Sequence, residues 1–171
     1  MPFPALLDLD FVPHFFEADA PADLRIGCRL ALSGEFLTVT VSGPVTELAP
    51  PPGPPGRFED LWRHDVIEVF LLGDRERYLE LELGPHGHWW LLRLEGRRNI
   101  VAELEPRAHS CRQEGHRWEA SVRLELAALP AGLCAFNVTT ILGPRRLHGS
   151  FVPLPGTKPD FHQLDRFHFP G

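Results

Sequence analysis

The sequence is poor in lysine, and this scarcity excludes a class of partner. Lys158 is its only lysine among 171 residues, and the net charge at pH 7 is −6. Because binding to phosphate groups needs clustered basic side chains, no nucleic-acid partner is expected. The arginine pairs Arg97-Arg98 and Arg145-Arg146 are predicted to lie at solvated loop ends.

Cysteines and long hydrophobic runs are also scarce. Cys28, Cys111 and Cys134 form an odd set without CxxC spacing. They therefore predict small core residues in a reducing compartment, rather than a disulfide framework or a zinc site. The segment Met1-Pro2-Phe3-Pro4-Ala5-Leu6-Leu7-Asp8 lacks the basic residues and apolar run of a signal peptide, and no segment is long enough to span a bilayer. A cytoplasmic protein without a membrane partner is expected.

Most of the chain consists of short alternating segments separated by turn residues. From Leu24 onward, apolar and polar residues alternate with a period of two, which is typical of strands buried on one side. The one expected helical turn lies near Leu126, before Pro130. The pattern predicts a single all-β domain over residues 1–171, a jelly-roll-like antiparallel β-sandwich with at most one short helix.

The segment between Leu61 and Leu94 carries the strongest functional signal. Alternation predicts an apolar face made of Ile67, Val69, Leu71, Leu79, Leu81, Leu83, Trp90, Leu92 and Leu94. It predicts an opposite, wet face made of Glu68, Tyr78, Glu80, Glu82, Trp89 and Arg93. A wet face that combines carboxylates, a guanidinium and large aromatic rings indicates a binding surface, although acidic residues also serve simply to keep an exposed sheet soluble.

A hairpin turn at residues 84–87 would fix the pairing of these strands. With Gly84-Pro85-His86-Gly87 as the turn, Glu82 would face Trp89 and Tyr78 would face Arg93. Carboxylates and arginine bind sugar hydroxyls, and indole rings stack on the C–H faces of sugars. The predicted face therefore has the chemistry of a carbohydrate site.

Several motifs in this region resemble the DOMON-like β-sandwich family and the related family 9 carbohydrate-binding modules. The matching positions are Trp62, Asp65, Glu68, Phe70, Tyr78, Glu80, Pro85 and Gly87, followed by the segment Trp118-Glu119-Ala120. The ending Pro159-Asp160-Phe161-His162, followed by Phe167, is similar to the ending of bacterial DOMON-like proteins. The resemblance implies a β-sandwich fold and a bacterial protein.

The resemblance also implies a sugar held between two aromatic rings, beside an acid and an arginine. Trp62 would be the first ring, Glu68 the acid, and Phe151 or Phe161 the second ring. Arg93, Arg97 or Arg98 would supply the guanidinium, with Asn99 close by. The predicted ligand-binding residues are Trp62, Glu68, Trp89, Arg93, Arg97, Asn99 and Phe151.

The leading hypothesis is a non-catalytic module that binds a small saccharide. One alternative is a protein-interaction module whose exposed Trp62 and Trp89 pack on a protein partner. Another is a haem-binding DOMON domain, although Met1 is the only methionine and Lys158 the only lysine. Related modules hold structural calcium, but no Asp-rich loop is evident. No cofactor and no metal site are predicted, because His86 and His88 belong to a turn where exposed histidines are ordinary.

Catalysis is not expected. Glu68, Glu80 and Glu82 could suggest a glycosidase, but carboxylates that project in parallel along one face do not straddle a bond. No nucleophile or phosphate-binding motif has a recognisable context. Glu68 lies in the middle of a predicted strand, where an apolar residue would serve structure better, so it is expected to be held by Arg93 or Arg97.

Overall fold

The computed structural model describes residues 3–170, which form strands joined by turns and loops. The strands are β1 (Leu6–Phe11), β2 (His14–Phe15), β3 (Ile26–Ser33), β4 (Phe36–Pro44), β5 (Gly56–Arg57), β6 (Val66–Leu72), β7 (Arg77–Leu83), β8 (His88–Glu95), β9 (Ile100–Glu103), β10 (Ala108–Glu114), β11 (Arg117–Glu125), β12 (Ala135–Leu142) and β13 (Leu147–Ser150). Four single 3-10 turns complete the regular structure, at Leu61–Arg63, Asp74–Glu76, Leu126–Ala128 and Leu164–Arg166. The helical turn expected near Leu126 is one of these four.

Two sheets pack face to face. The first has the order β1-β3-β4-β11-β10, and the second has the order β2-β13-β12-β6-β7-β8-β5, with β9 paired to β8. The named strands pair antiparallel, apart from the two-residue parallel contact between β5 and β8. The prediction of an antiparallel β-sandwich is confirmed.

The space between the sheets is filled by alternate residues of the central strands, as the two-residue period requires. The second sheet contributes Ile67, Val69 and Leu71 from β6, together with Leu79, Leu81 and Leu83 from β7, and all six are buried. The first sheet contributes β-branched and aliphatic side chains such as Ile26, Val39 and Val122. A second apolar cluster, which includes Phe70, Trp90 and Phe161, covers the outer face of the second sheet.

The hairpin between β7 and β8 has a different register from the predicted one. Leu83 pairs with Trp89 and Glu82 with Trp90, one residue away from the expected partners. The Gly84 N–H donates to the carbonyl of His88 over 3.0 Å, so the loop proper has three residues, 85–87. Gly87 adopts φ +82°, the left-handed conformation that closes three-residue hairpin loops.

This register reverses the predicted orientation of β8, while β6 and β7 keep theirs. Trp89 and Leu91 point between the sheets, and Trp90, Leu92 and Leu94 point outward beside the glutamates. The prediction that Trp89 and Arg93 share a face with Glu82 is therefore wrong. The error comes from the loop length, because one extra loop residue inverts every side chain of the following strand.

None of residues 3–170 lies in a helix that is long and apolar enough to cross a bilayer.

Candidate functional site

A cavity of about 400 Å³ opens on the outer face of the second sheet. Its lining residues are Asp60, Trp62, Glu68, Glu80, Glu82, Trp90, Leu92, Leu94, Arg98, Ile100, Ile141, His148, Pro159, Phe161 and His162. We call it the acidic cavity after its three glutamates. Strands β6, β7 and β8 form its floor, and the segment 159–162 forms one wall. Its volume lies in the range of about 300–1,000 Å³ that is typical of small-molecule sites.

Three carboxyl groups meet on the floor of the acidic cavity. Glu68 on β6 pairs in register with Glu82 on β7, and Glu80 projects from the same face of β7. One carboxyl oxygen from each of the three lies within 4.8 Å of the others. All three side chains are buried, and Glu82 is 0% exposed. The alternation of β6 and β7 places them together, as the sequence predicted.

Glu68 has a different partner from the one expected. The Thr139 hydroxyl, on the neighbouring strand β12, donates to Glu68 Oε2 over 2.5 Å. Arg93 instead reaches the carbonyl of Ala128 at 3.5 Å, and Arg97 lies near Asp165 at 3.7 Å. The prediction of an arginine partner is wrong, because the reversed β8 turns Arg93 away from the cavity.

Burial shifts the acid-base equilibria of the three carboxyl groups in one direction. Loss of hydration raises the pKa of Glu68 to about 7, although the Thr139 hydrogen bond works against the shift. Loss of hydration and the nearby Glu68 raise the pKa of Glu80 to about 8. Burial, Glu68 and Glu80 raise the pKa of Glu82 well above its ordinary value. Near neutral pH the cluster therefore retains protons that solvated glutamates would release.

Two buried polar side chains of the cavity are left without partners. Neither carboxyl oxygen of Glu82 accepts a hydrogen bond from a backbone group or a neutral side chain, and the group with which Glu82 can share a proton is its neighbour Glu80. The indole Nε1 of Trp90 is also unpartnered, and this side chain is only 6% exposed. Buried polar groups normally form hydrogen bonds, and leaving one without a partner costs about 1–3 kcal/mol. The cavity thus holds one unused acceptor and one unused donor.

A hydrogen-bonded chain fixes the wall formed by His162. The Arg98 N–H donates to the Tyr78 hydroxyl over 2.9 Å, and that hydroxyl lies 2.7 Å from His162 Nδ1. Because burial raises the pKa of Tyr78 to about 12 and lowers that of His162 to about 4, we assign the proton between them to Tyr78. Neutral His162 then carries its own proton on Nε2, 3.9 Å from Glu80 Oε2. This pair is not an ion pair at neutral pH.

Trp62 stands at the rim of the cavity on a braced loop. Its side chain is 41% exposed, and the Arg63 guanidinium lies 4.9 Å from the centre of its ring. Arg146 donates to the backbone carbonyls of Trp62 and His64. The buried Asp65 accepts hydrogen bonds from Thr46 and from the Gly143 N–H. The expectation that Trp62 is an accessible ring beside Glu68 agrees with this geometry.

The other predicted site residues lie outside the cavity lining. Trp89 is packed in the core between the sheets, and Phe151 stacks on Phe136 there with ring centres 5.6 Å apart. Arg93 is half-buried on the inner side of β8. Arg97 and Asn99 are exposed in the turn after β8, where the Asn99 side chain donates to the carbonyl of Glu95. Phe161, the other residue considered as second ring, does line the cavity.

Sequence reasoning missed the residues that complete the cavity from distant parts of the chain. Thr139 and Arg146 lie more than 70 positions after Glu68 and carry no local signal. Arg146 belongs to a pair predicted to be solvated, whereas it holds the Trp62 loop; its neighbour Arg145 does form an exposed ion pair, with Asp19. Arg98, from the other pair, lines the cavity and bonds to Asp160 at 2.7 Å. Trp90 had a detectable signal, since Gly87 is the residue that a three-residue loop demands.

Two cofactors named by the resemblance can be tested against this donor set. One cation could contact all three carboxyl groups, but Ca²⁺ prefers six to eight oxygen ligands, and the unused indole N–H cannot bind a metal. For haem, the lining offers His148 and His162, but the three carboxyl groups beside them do not suit a large apolar macrocycle that itself carries carboxylates. Met1 lies outside the described residues. The cavity fits neither group well.

The fold is an antiparallel β-sandwich that a solved structure of another protein shares. A crystal structure from Bacteroides uniformis, described as a candidate carbohydrate-binding protein, matches with a TM-score of 0.70 over 95% of this chain and 83% of that chain, at 15% sequence identity. A family 9 carbohydrate-binding module from Caldicellulosiruptor kristjanssonii in complex with glucose is a weaker match, with a TM-score of 0.48 and 12% identity over 81% of this chain and 72% of that one. At 15% identity the Bacteroides uniformis match shows a shared fold and no more.

Sequence relatives place the chain in a family. It is 36% identical to human UPF0462 protein C4orf33 over 93% of this chain and 86% of that protein. The mouse homologue is 35% identical over 81% and 78%, and the zebrafish homologue is 30% identical over 92% and 85%. The chain therefore belongs to the UPF0462 family. No protein-family model matches it, so the DOMON part of the resemblance stays a prediction.

The family overturns one expectation from the sequence. The chain ending was interpreted as that of a bacterial protein, whereas the UPF0462 relatives are from human, mouse, rat and zebrafish. A short motif such as Pro159-Asp160-Phe161-His162 is therefore a poor guide to source. In this structure it forms the wall of the acidic cavity.

Proposed function

We propose that this chain is a non-catalytic module that binds a small polyhydroxylated ligand, of the saccharide class, in the acidic cavity. The observation that carries the proposal is the pair of unpartnered groups in the cavity, the Glu82 carboxyl and the Trp90 indole N–H. A sugar hydroxyl both donates and accepts hydrogen bonds, so a few hydroxyls satisfy both.

Aromatic walls support the same class of ligand. Trp62 at the rim, Trp90 on the floor and Phe161 on the wall surround the carboxyl groups. Rings of this kind pack on the C–H faces of a sugar, while the polar groups select the orientation of its hydroxyls. The proposal keeps Trp62 and Glu68 from the sequence prediction, and replaces Trp89 with Trp90 and Phe151 with Phe161.

The absence of catalysis is part of the proposal. Glu68, Glu80 and Glu82 lie in one cluster on the floor, and the fourth acid of the lining, Asp60, is already paired with Arg63 and accepts a hydrogen bond from the Trp62 indole. Glycosidases need two carboxyl groups that flank the scissile bond. The cluster suits binding better than bond cleavage.

The test is a titration of intrinsic tryptophan fluorescence and of heat with a panel of monosaccharides. We expect dissociation constants between about 1 μM and 1 mM for the preferred sugar. Trp90→Phe keeps a ring and removes the indole N–H, so it should weaken binding about tenfold. The matched control is Glu125→Gln, an exposed residue at the end of β11 on the other sheet.

No response to any sugar at about 10 mM would overturn the proposal. In that case the exposed Trp62 and Ile100 at the rim favour the protein-interaction alternative. A pull-down whose yield falls with Trp62→Ala, but not with Trp90→Phe, would support that alternative. Loss of capture with both variants would instead point back to the cavity.

A further inference from the structure

The carboxyl groups of the acidic cavity have no basic side chain bonded to them. Among the ion pairs and hydrogen bonds of residues 3–170, none joins an arginine or a lysine to Glu68, Glu80 or Glu82. The two nearest arginines are already engaged. Arg98 pairs with Asp160, and Arg146 holds backbone carbonyls. A neutral sugar would satisfy hydrogen bonds here and leave the carboxyl groups protonated, whereas a cationic ligand would favour their ionised form.

The geometry of the carboxyl groups matches one small cation. Because their oxygens lie within 4.8 Å of one another, a single positively charged group can contact all three. An ammonium group has three N–H donors, one for each carboxyl. Trp62, Trp90 and Phe161 line the same space, and aromatic rings of this kind attract ammonium groups through cation–π interactions.

The unpartnered indole distinguishes such a ligand from a metal ion. The buried Nε1 of Trp90 is a donor and needs an oxygen acceptor. A metal ion offers no acceptor, whereas a hydroxyl attached to the same molecule as an ammonium group does. The carboxyl cluster and the indole together therefore call for a ligand with one cationic group and at least one hydroxyl.

We propose that the acidic cavity selects a hydroxylated primary amine in its ammonium form, with an amino sugar as the expected member of that class. The amine occupies the carboxyl cluster, and a hydroxyl accepts the indole hydrogen bond. This inference rests on the proposed function, and it adds the charge of the ligand to it. The raised pKa of Glu80 is consistent with a carboxyl cluster that lacks a positively charged partner.

The experiment compares glucosamine, glucose and N-acetylglucosamine by calorimetry with the full chain. A buffer such as MOPS is required, because Tris is itself a hydroxylated amine and phosphate would precipitate the Ca²⁺ used in the metal comparison below. We expect glucosamine to bind at least about tenfold more tightly than glucose, and N-acetylglucosamine, whose nitrogen carries no charge, to lose that advantage. This series uses the unmodified protein and so does not depend on the folding of any variant.

Variants localise the effect to the cluster. Glu82→Gln should reduce the affinity for glucosamine about tenfold or more, and should change that for glucose less than about threefold. The exposed Glu125→Gln should change neither. If Glu82→Gln reduces both affinities equally, the carboxyl does not read the charge of the ligand, and the inference is overturned.

The remaining arms separate this inference from the proposed function. Equal binding of glucosamine and glucose overturns the inference and leaves the proposed function standing. Binding of ethanolamine with no response to any sugar, glucosamine included, supports the ammonium site and overturns the saccharide proposal. Displacement of glucosamine by CaCl₂, but not by NaCl of equal ionic strength, overturns the inference in favour of a metal site.

Discussion

The two faces of the second sheet are built from alternate residues of the same strands, yet they differ in the polarity and hydrogen bonding of their side chains. The inner face of β6 and β7 carries only aliphatic side chains, each packed against the opposite sheet. The outer face carries three glutamates among apolar residues, and some of its buried polar atoms have no partner. Burial alone therefore does not mark a core. The inner face is complete as it stands, whereas under the proposed function a ligand completes the outer face.

The largest expected effect on stability comes from Leu81, on the inner face of β7. Leu81→Ala removes a fully buried side chain from the inner face and should lower the free energy of unfolding by about 2–5 kcal/mol. Urea denaturation followed by tryptophan fluorescence measures this loss. A loss below about 1 kcal/mol would show that the inner face is loosely packed and would remove the contrast.

The outer face should make stability depend on pH in an unusual direction. Folded Glu68 and Glu80 have pKa values of about 7 and 8, against 4.5 for the ordinary carboxyl, so the folded state holds protons that the unfolded chain releases. Stability is therefore present at low pH and is lost as the pH rises through these values. We expect the free energy of unfolding to fall by about 2–4 kcal/mol between pH 5 and pH 8.

His162 acts in the opposite sense. Its pKa falls from 6.5 to about 4 on burial, so it costs stability as the pH drops below about 6.5. Because one histidine opposes three glutamates, the folded protein should still be more stable at pH 5 than at pH 8. Thermal unfolding across this range, with Glu80→Gln as the variant that flattens the curve, checks the sign. A curve that rises from pH 5 to pH 8 would contradict it.

Glu82→Gln should have a smaller effect of the opposite sign to Leu81→Ala. Removing an unpartnered buried carboxyl should stabilise the unliganded protein by about 1–2 kcal/mol at pH 8, where that group is hardest to keep neutral. The same denaturation experiment measures it, and Glu125→Gln should leave stability unchanged. A destabilised Glu82→Gln protein would mean that the carboxyl serves the fold.

The smallest expected effect concerns the rim. Arg146→Lys keeps the charge but cannot hold the carbonyls of Trp62 and His64 in the same fork, so Trp62 should become more mobile. We expect a loss of about threefold to tenfold in ligand affinity, with a change in stability below about 1 kcal/mol. Acrylamide quenching of tryptophan fluorescence should rise in parallel. Unchanged quenching with lowered affinity would assign Arg146 a direct role in binding.

The sequence predicts the sandwich and the face of the three glutamates because both depend on local alternation. Glu68 on β6 and Glu80 and Glu82 on β7 follow from a period of two and one antiparallel pairing. Their partners do not follow, because Thr139 and Arg146 arrive from strands and turns far along the chain. The prediction for β8 failed for a local reason. A four-residue loop and a three-residue loop at this turn place the side chains of β8 on opposite faces. Gly87 indicated a three-residue loop, but the orientation of β8 follows only when the left-handed conformation of Gly87 is known.

That loop has a consequence for the charge of the cavity. Because Trp89 and Trp90 are adjacent, each face of β8 carries an indole, and a shift of β8 by one residue against β7 would exchange the two rings without any change of sequence. The same shift would bring Arg93 to the side of the glutamates in place of Leu92 and Leu94, and it would give the cluster a counter-charge. The left-handed Gly87 that closes the loop therefore holds the register on which the acidity of the cavity depends.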